Sequence, residues 1–183
     1  MVEMTFNFSN EGIPINEANI ELASFRLLSL FLADKEIQKL KAKNRLQIAD
    51  EIIGLSKYDQ ITHLLVEIAT LYRIRDNQIP KTDEYNQVRR NRIVGSLFEP
   101  IDSKRQDLTI REACNKIIHS ETINFDIKKL SKSRRAYLSP IIYWYGVKNK
   151  NDWKAVVDIV DFCAYSVIPL KIDLLEKLEV IEL

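Results

Sequence analysis

The chain has 183 residues, 46% of them hydrophobic and 29% charged, with only four glycines and five prolines. That length suits one domain with a substantial core, and so little glycine and proline argues against a turn-dense sandwich or barrel. The formal net charge of +1 excludes a global field that would draw the molecule onto nucleic acid or membrane, so any such partner must be met by a local patch.

Residues 1–15 read as an extended arm, in which Met4, Phe6 and Phe8 alternate with polar neighbours. Asn16 is placed to cap a first helix, with Ile15 and Ile20 spaced as a hydrophobic staple and Leu22, Phe25, Leu28 and Leu32 as its buried stripe. The charged stretch Asp34 to Arg45 reads as solvated. A second helix carries Leu46, Ile48, Ile52 and Ile53 and ends near Gly54. Ser56-Lys-Tyr-Asp59 has the form of a capping box opening a third helix, with Ile61, Leu64, Leu65, Ile68, Leu71 and Tyr72 apolar. Asn77 to Pro80 breaks it. Thr82 is placed to cap a fourth helix over Asp83 to Phe98, and Thr109-Ile-Arg-Glu112 is a capping box for a short helix ending at His119.

The texture then changes to strand. Thr122 to Asp126 reads as a short strand, and Tyr137–Val147 pairs with Trp153–Val157 as a hairpin turning at Asn149–Asp152. A last helix follows over roughly Asp158 to Leu178, with Val160, Cys163 and Val167 inward and a kink at Pro169. The expected architecture is mainly α: a single domain over 1–183, a helical bundle with a small antiparallel β-hairpin at about 137–157 before the last helix. No run approaches the roughly 20 apolar residues of a membrane span, and Met1 to Phe8 lacks a signal-peptide pattern. A cytoplasmic protein without a membrane is therefore expected. Cys114 and Cys163 form no C-x-x-C pair and read as buried free thiols, with no metal and no cofactor expected.

Two histidines narrow the search for chemistry. His63 lies in an apolar helix and reads as a core residue. His119 ends a helix on which Arg111, Asn115 and His119, spaced i, i+4 and i+8, run along one side with about 40° of drift per step. The segment Arg111-Glu-Ala-Cys-Asn-Lys-Ile-Ile-His119, preceded by several amphipathic helices, resembles the HEPN superfamily of helical bundles. That family's signature is an Arg, four to six intervening residues and a His, often with Asn directly after the Arg. Asn115 and His119 match; Cys114 stands where the Arg should be, and Arg111 lies one residue outside the spacing.

The resemblance implies a metal-independent endoribonuclease of a toxin–antitoxin or abortive-infection system, assembled as a homodimer and paired with an antitoxin or other regulatory protein. In such a site His119 would serve as acid or base in attack of a ribose 2′-hydroxyl on the adjacent phosphate. Arg111 would neutralise that phosphate, and Asn115 would orient it. The displaced Arg equally implies a HEPN-like module that binds or regulates without cleaving, and an unrelated helical scaffold is the third reading. Between Ile127 and Asn151 stand seven basic residues (Lys128, Lys129, Lys132, Arg134, Arg135, Lys148 and Lys150) and no acidic one. Tyr137, Tyr143, Trp144 and Tyr145 are interleaved, a composition suited to RNA. Lys128, Lys129, Lys132, Arg134 and Arg135 are the expected phosphate contacts, and Trp144 or its neighbours the stacking platform. On a strand, Tyr143 and Tyr145 share one face and Trp144 takes the other, so one set must be core.

Overall fold

A computed structural model describes residues 17–42, 50–99, 105–131 and 135–168. The expected arm 1–15, the cap Asn16, Lys132, Arg134 and the last helix from Pro169 onward lie outside these residues. In chain order the elements are α1 (Glu17–Ala42), α2 (Asp50–Gln78), α3 (Asp83–Asn91), β1 (Ile93–Phe98), β2 (Arg105–Thr109), α4 (Ile110–Ile118), β3 (Thr122–Lys129), β4 (Ala136–Lys148) and β5 (Asn151–Asp158). A fifth helix, α5, covers residues 159–168.

The architecture is α+β, which corrects the expectation of a mainly helical bundle with one hairpin. All five strands join one antiparallel sheet of order β2-β1-β5-β4-β3. The expected hairpin is present, with Gly146 opposite Trp153 and Val147 opposite Asp152. Asn149 and Lys150 turn it with positive φ of 52° and 66°, as a two-residue hairpin loop requires. β3 pairs with β4, and β1 and β2 extend the sheet on the far side of β5. The expected fourth helix stops at Asn91, where Arg92 leaves helical geometry at φ −87°, ψ 81°. Ile93-Val94-Gly95-Ser96 then runs as strand, because two β-branched residues and a glycine fit an extended backbone better than a helix.

α2 also departs from expectation. It passes unbroken through Gly54 and Ser56, joining two predicted helices. A helical glycine costs roughly 1 kcal/mol, and the stripe of Ile61, Leu65, Ile68, Ala69 and Tyr72, each at most 3% exposed, outweighs it. The buried stripe of α1 is Ile20, Ala23, Leu27 and Phe31 rather than the predicted one. Leu22, Phe25 and Leu32 are 46%, 70% and 61% exposed, and only Leu28 of that set packs on the core. Both stripes end in a buried aspartate one helical step on, Asp34 in α1 and Asp76 in α2. Asp34 accepts from the Leu138 amide at 2.7 Å and from Lys57 at 2.8 Å, tying α1 to β4.

The core lies between the helices and one face of the sheet. Trp144, Ile142, Trp153, Ala155 and Val157 project into it, and Ile110, Ala113, Cys114 and Ile117 of α4 meet them. α5 closes the α1 end through a buried hydrogen bond between Ser166 and Ser24 at 3.0 Å. Asp158 caps α5, accepting from the Val160 amide at 2.8 Å. Cys163 is buried as expected, whereas Val160 is 43% exposed. No helix among the described residues is long and apolar enough to cross a membrane.

Candidate functional site

α4 is built as the sequence predicts. Thr109 caps it, accepting from the Glu112 amide at 3.3 Å, and His119 closes it, its backbone N–H donating to the Asn115 carbonyl at 3.1 Å. The three polar residues of its stripe nevertheless take separate partners. Arg111 turns toward the end of α2, where it donates to Asp76 at 2.8 Å, to the Asn77 amide oxygen at 3.0 Å and to the Arg73 carbonyl at 3.3 Å. Asn115 donates to Glu112 at 3.1 Å. His119 is exposed. Eight residues of helix separate Arg111 from His119, about 12 Å of axial rise, so the structure does not bring the guanidinium and the imidazole together. Cys114, where the HEPN signature has its Arg, is fully buried, and burial pushes its thiol well above the usual range. Lys116, on the other side of α4, is buried against Glu99 at 3.1 Å and over the Trp153 ring at 4.5 Å.

Asp76 gathers more charge than the sequence foretold. Four residues beyond Tyr72, it continues the buried face of α2, and its side chain is 1% exposed. Arg111, Lys81 and Arg89 all approach its Oδ2, the last two at 3.5 Å, and the Tyr85 hydroxyl donates to Oδ1 at 2.5 Å. Burial and then the bond to Asp76 raise the Tyr85 hydroxyl's pKa above its ordinary value, so it remains a donor. Thr82 fixes the start of α3, accepting from the Tyr85 amide at 3.2 Å, and so places Tyr85 and Arg89 against α2. In the run Arg89-Arg90-Asn91-Arg92, Arg89 is drawn to Asp76 and Arg92 is 6% exposed.

The sheet face turned away from the core carries a different chemistry. Strand registers place Arg105, Phe98, Lys154, Tyr145 and Thr122 in one row across all five strands, with Asp107, Ser96, Val156, Tyr143 and Asn124 in the next. Opposed residues of an antiparallel pair project to the same side. Lys154 lies over both tyrosines, 4.7 Å from the Tyr143 ring and 5.6 Å from the Tyr145 ring. Phe98 is 39% exposed, and both tyrosines are half-buried. The bulge between Phe125 and Ile127 frees Asp126 from the ladder, and its carboxylate accepts from the Tyr143 hydroxyl at 3.4 Å.

Trp144, an expected stacking residue, is 2% exposed and belongs to the core. The alternation that the sequence left open thus resolves with Trp144 inward and the tyrosines outward. Lys128 and Lys129 are exposed at the end of β3 remote from Thr122, and Arg135 is half-buried near them. Six residues of strand put them about 20 Å from the Tyr145 row. Lys148 and Lys150 stand exposed at the hairpin turn, a few residues beyond Tyr145 along β4. The Glu121 amide donates to the Tyr145 carbonyl at 2.9 Å, so the helix end bearing His119 abuts that same end of the sheet.

His63 is exposed rather than core. It lines a groove of about 840 Å³ between α1 and α2, with Phe25, Leu30, Ala33, Ile37 and Leu64 as apolar walls. Among the described residues no group of three or more His, Cys, Asp or Glu side chains is placed to hold a metal ion. No protein family, curated protein or solved structure matches this chain.

Proposed function

We propose that this chain binds single-stranded RNA across the outer face of its sheet, as a binding module rather than an assembled nuclease. The observation that supports it most is Lys154, set between Tyr143 and Tyr145 on a partly exposed sheet and flanked in its row by Phe98 and Arg105. Half-exposed rings accept stacked bases, and interleaved cations pair with the phosphates between them. Lys148 and Lys150 at one end and Lys128 and Lys129 at the other extend the cationic track. Photo-crosslinking of a uridine-rich oligoribonucleotide tests the surface. Adducts on Tyr143, Tyr145 or Phe98 are expected, and adducts confined to the α1 and α2 helices would reject it.

Cleavage is the second reading, favoured by the exposed His119 at the Tyr145 end of the sheet. Arg111 points to the end of α2, about 12 Å of helix from His119, so a phosphate at His119 would need another cation. Incubating a mixed RNA pool with the protein in EDTA, beside a His119→Ala control, decides between them. Intact RNA is expected, and His119-dependent cleavage would make the module an enzyme.

The assembly we propose is a homodimer joined through α1. Leu22, Phe25 and Leu32 form an exposed apolar stripe beside the α1–α2 groove, and a two-fold contact would bury two such stripes at once. α2 packs against both α1 and α4, which leaves the α4 face that carries Arg111 and Asn115 away from this contact.

A further inference from the structure

The cluster around Asp76 has more positive charge than its carboxylate balances. Arg111, Lys81 and Arg89 each bring a nitrogen within 3.5 Å of one oxygen, Asp76 Oδ2. Among the described side chains at this cluster, three positive charges stand against one negative, which leaves two uncompensated. Arg92 stands behind them, 6% exposed, close to Tyr72, Tyr85 and Tyr165 and without an acidic partner among the described side chains. Burial lowers its pKa from the ordinary guanidinium value. The Arg73 guanidinium, near Cys114 and Arg111, has a buried Nε with no hydrogen-bond partner. Uncompensated charge at low exposure is costly to hold. Yet the sequence places five cations here from α2, α3, α4 and the segments between them.

The cluster is also open on one side. Lys81, Arg89 and Arg111 side chains are 40%, 33% and 22% exposed, whereas Asp76 is 1% exposed. Asp76 therefore acts as the floor that fixes the spacing of three donors whose side chains are partly open to solvent. Tyr85 pins that floor from the α3 side. Guanidinium forks with an ammonium beside them present convergent donors that suit an oxyanion better than a monoatomic anion.

We infer that Lys81, Arg89 and Arg111 form a binding site for a phosphate dianion, either free or as the terminal phosphomonoester of a polynucleotide. Asp76 and Tyr85 are its positioning residues. The two uncompensated charges match a dianion, and an internal phosphodiester, carrying one charge, would balance only half of them. The site lies on the helical side of the molecule, apart from the outer sheet face, and it stands whether or not that face binds RNA.

Thermal unfolding in inorganic phosphate, with ionic strength held constant by chloride, tests the site directly. A saturable rise in Tm is expected for the wild type. Arg89→Gln and Lys81→Met are partly exposed changes whose fold is checked by circular dichroism. Each should weaken phosphate binding about tenfold, the loss of one charge-assisted contact. A Tm that ignores phosphate, or an equal rise in wild type and both variants, overturns the site. Two oligoribonucleotides identical except for a 5′-phosphate then separate the sources. Tighter binding of the phosphorylated one, lost in Arg89→Gln, assigns the site to a polynucleotide end, and equal binding assigns it to free phosphate.

Discussion

Cys114 sits fully buried one position before Asn115, and burial keeps its thiol protonated; Cys163, also buried, has its pKa pushed up to about 12. Neither thiol is a nucleophile at neutral pH. Both should resist a thiol reagent in the folded protein at pH 8 and react fully in denaturant; rapid native labelling would contradict the burial. The same shifts set a pH dependence. A folded-state thiol pKa raised above its ordinary value near 9 gives stability that is complete below pH 9 and lost as pH climbs toward 12. The raised hydroxyls of Tyr72 and Tyr85, both chiefly through burial, act in the same direction at higher pH. Chemical denaturation between pH 7 and 11 should therefore show a decline that begins near pH 9. Cys114→Arg, which would restore the HEPN spacing, puts a charge where no surface is exposed and should abolish folding. Asp76→Ala leaves three cations facing one another and should cost about 3 kcal/mol, read as a lower midpoint in urea.

Among the elements, the β4–β5 hairpin, β3, α4 and both short-helix caps were legible because each has a local signature: alternation, a turn pair, or a Thr with Glu or Tyr three residues on. β1 and β2 were not. Ile93-Val94-Gly95 followed a helical segment with no breaker between them, and β2 shows only Leu108 to the core while Arg105, Gln106 and Asp107 are exposed, since an edge strand needs no alternating pattern. α1 misled because it carries two apolar stripes, and periodicity cannot say which one a protein buries. Gly95 shows how tightly β1 is seated: a Cβ there would lie 1.9 Å from the Val156 carbonyl oxygen. Gly95→Ala should cost about 2 kcal/mol or more. Gly146→Ala, whose nearest neighbour is the Trp153 ring at 2.4 Å, should cost less if that ring shifts. The exposed stripe of α1 gives its own prediction: Phe25→Asp should leave Tm unchanged and convert a dimer to a monomer in sedimentation. A wild type that is monomeric at micromolar concentrations would rule out the α1 interface.

On the scale of the whole molecule, the sheet separates two chemistries. Its inner face and the helices build the core and the charged Asp76 cluster, and its outer face presents aromatics and cations in cross-strand rows. The nine-residue motif that drew attention to Arg111 and His119 is present on one helix, but its two ends serve different parts of the structure. That division was invisible in sequence because Asp76, the residue that claims Arg111, is 35 positions away. The most direct test of the account is the affinity of a fluorescent single-stranded RNA, measured by anisotropy over a series of salt concentrations, for wild type, Tyr145→Ala and Lys154→Glu. Loss of one stacking ring should weaken binding about tenfold, and Lys154→Glu should also flatten the salt dependence. Binding by both variants indistinguishable from wild type, or no binding by the wild type at low salt, would contradict the claim that this face is the RNA surface.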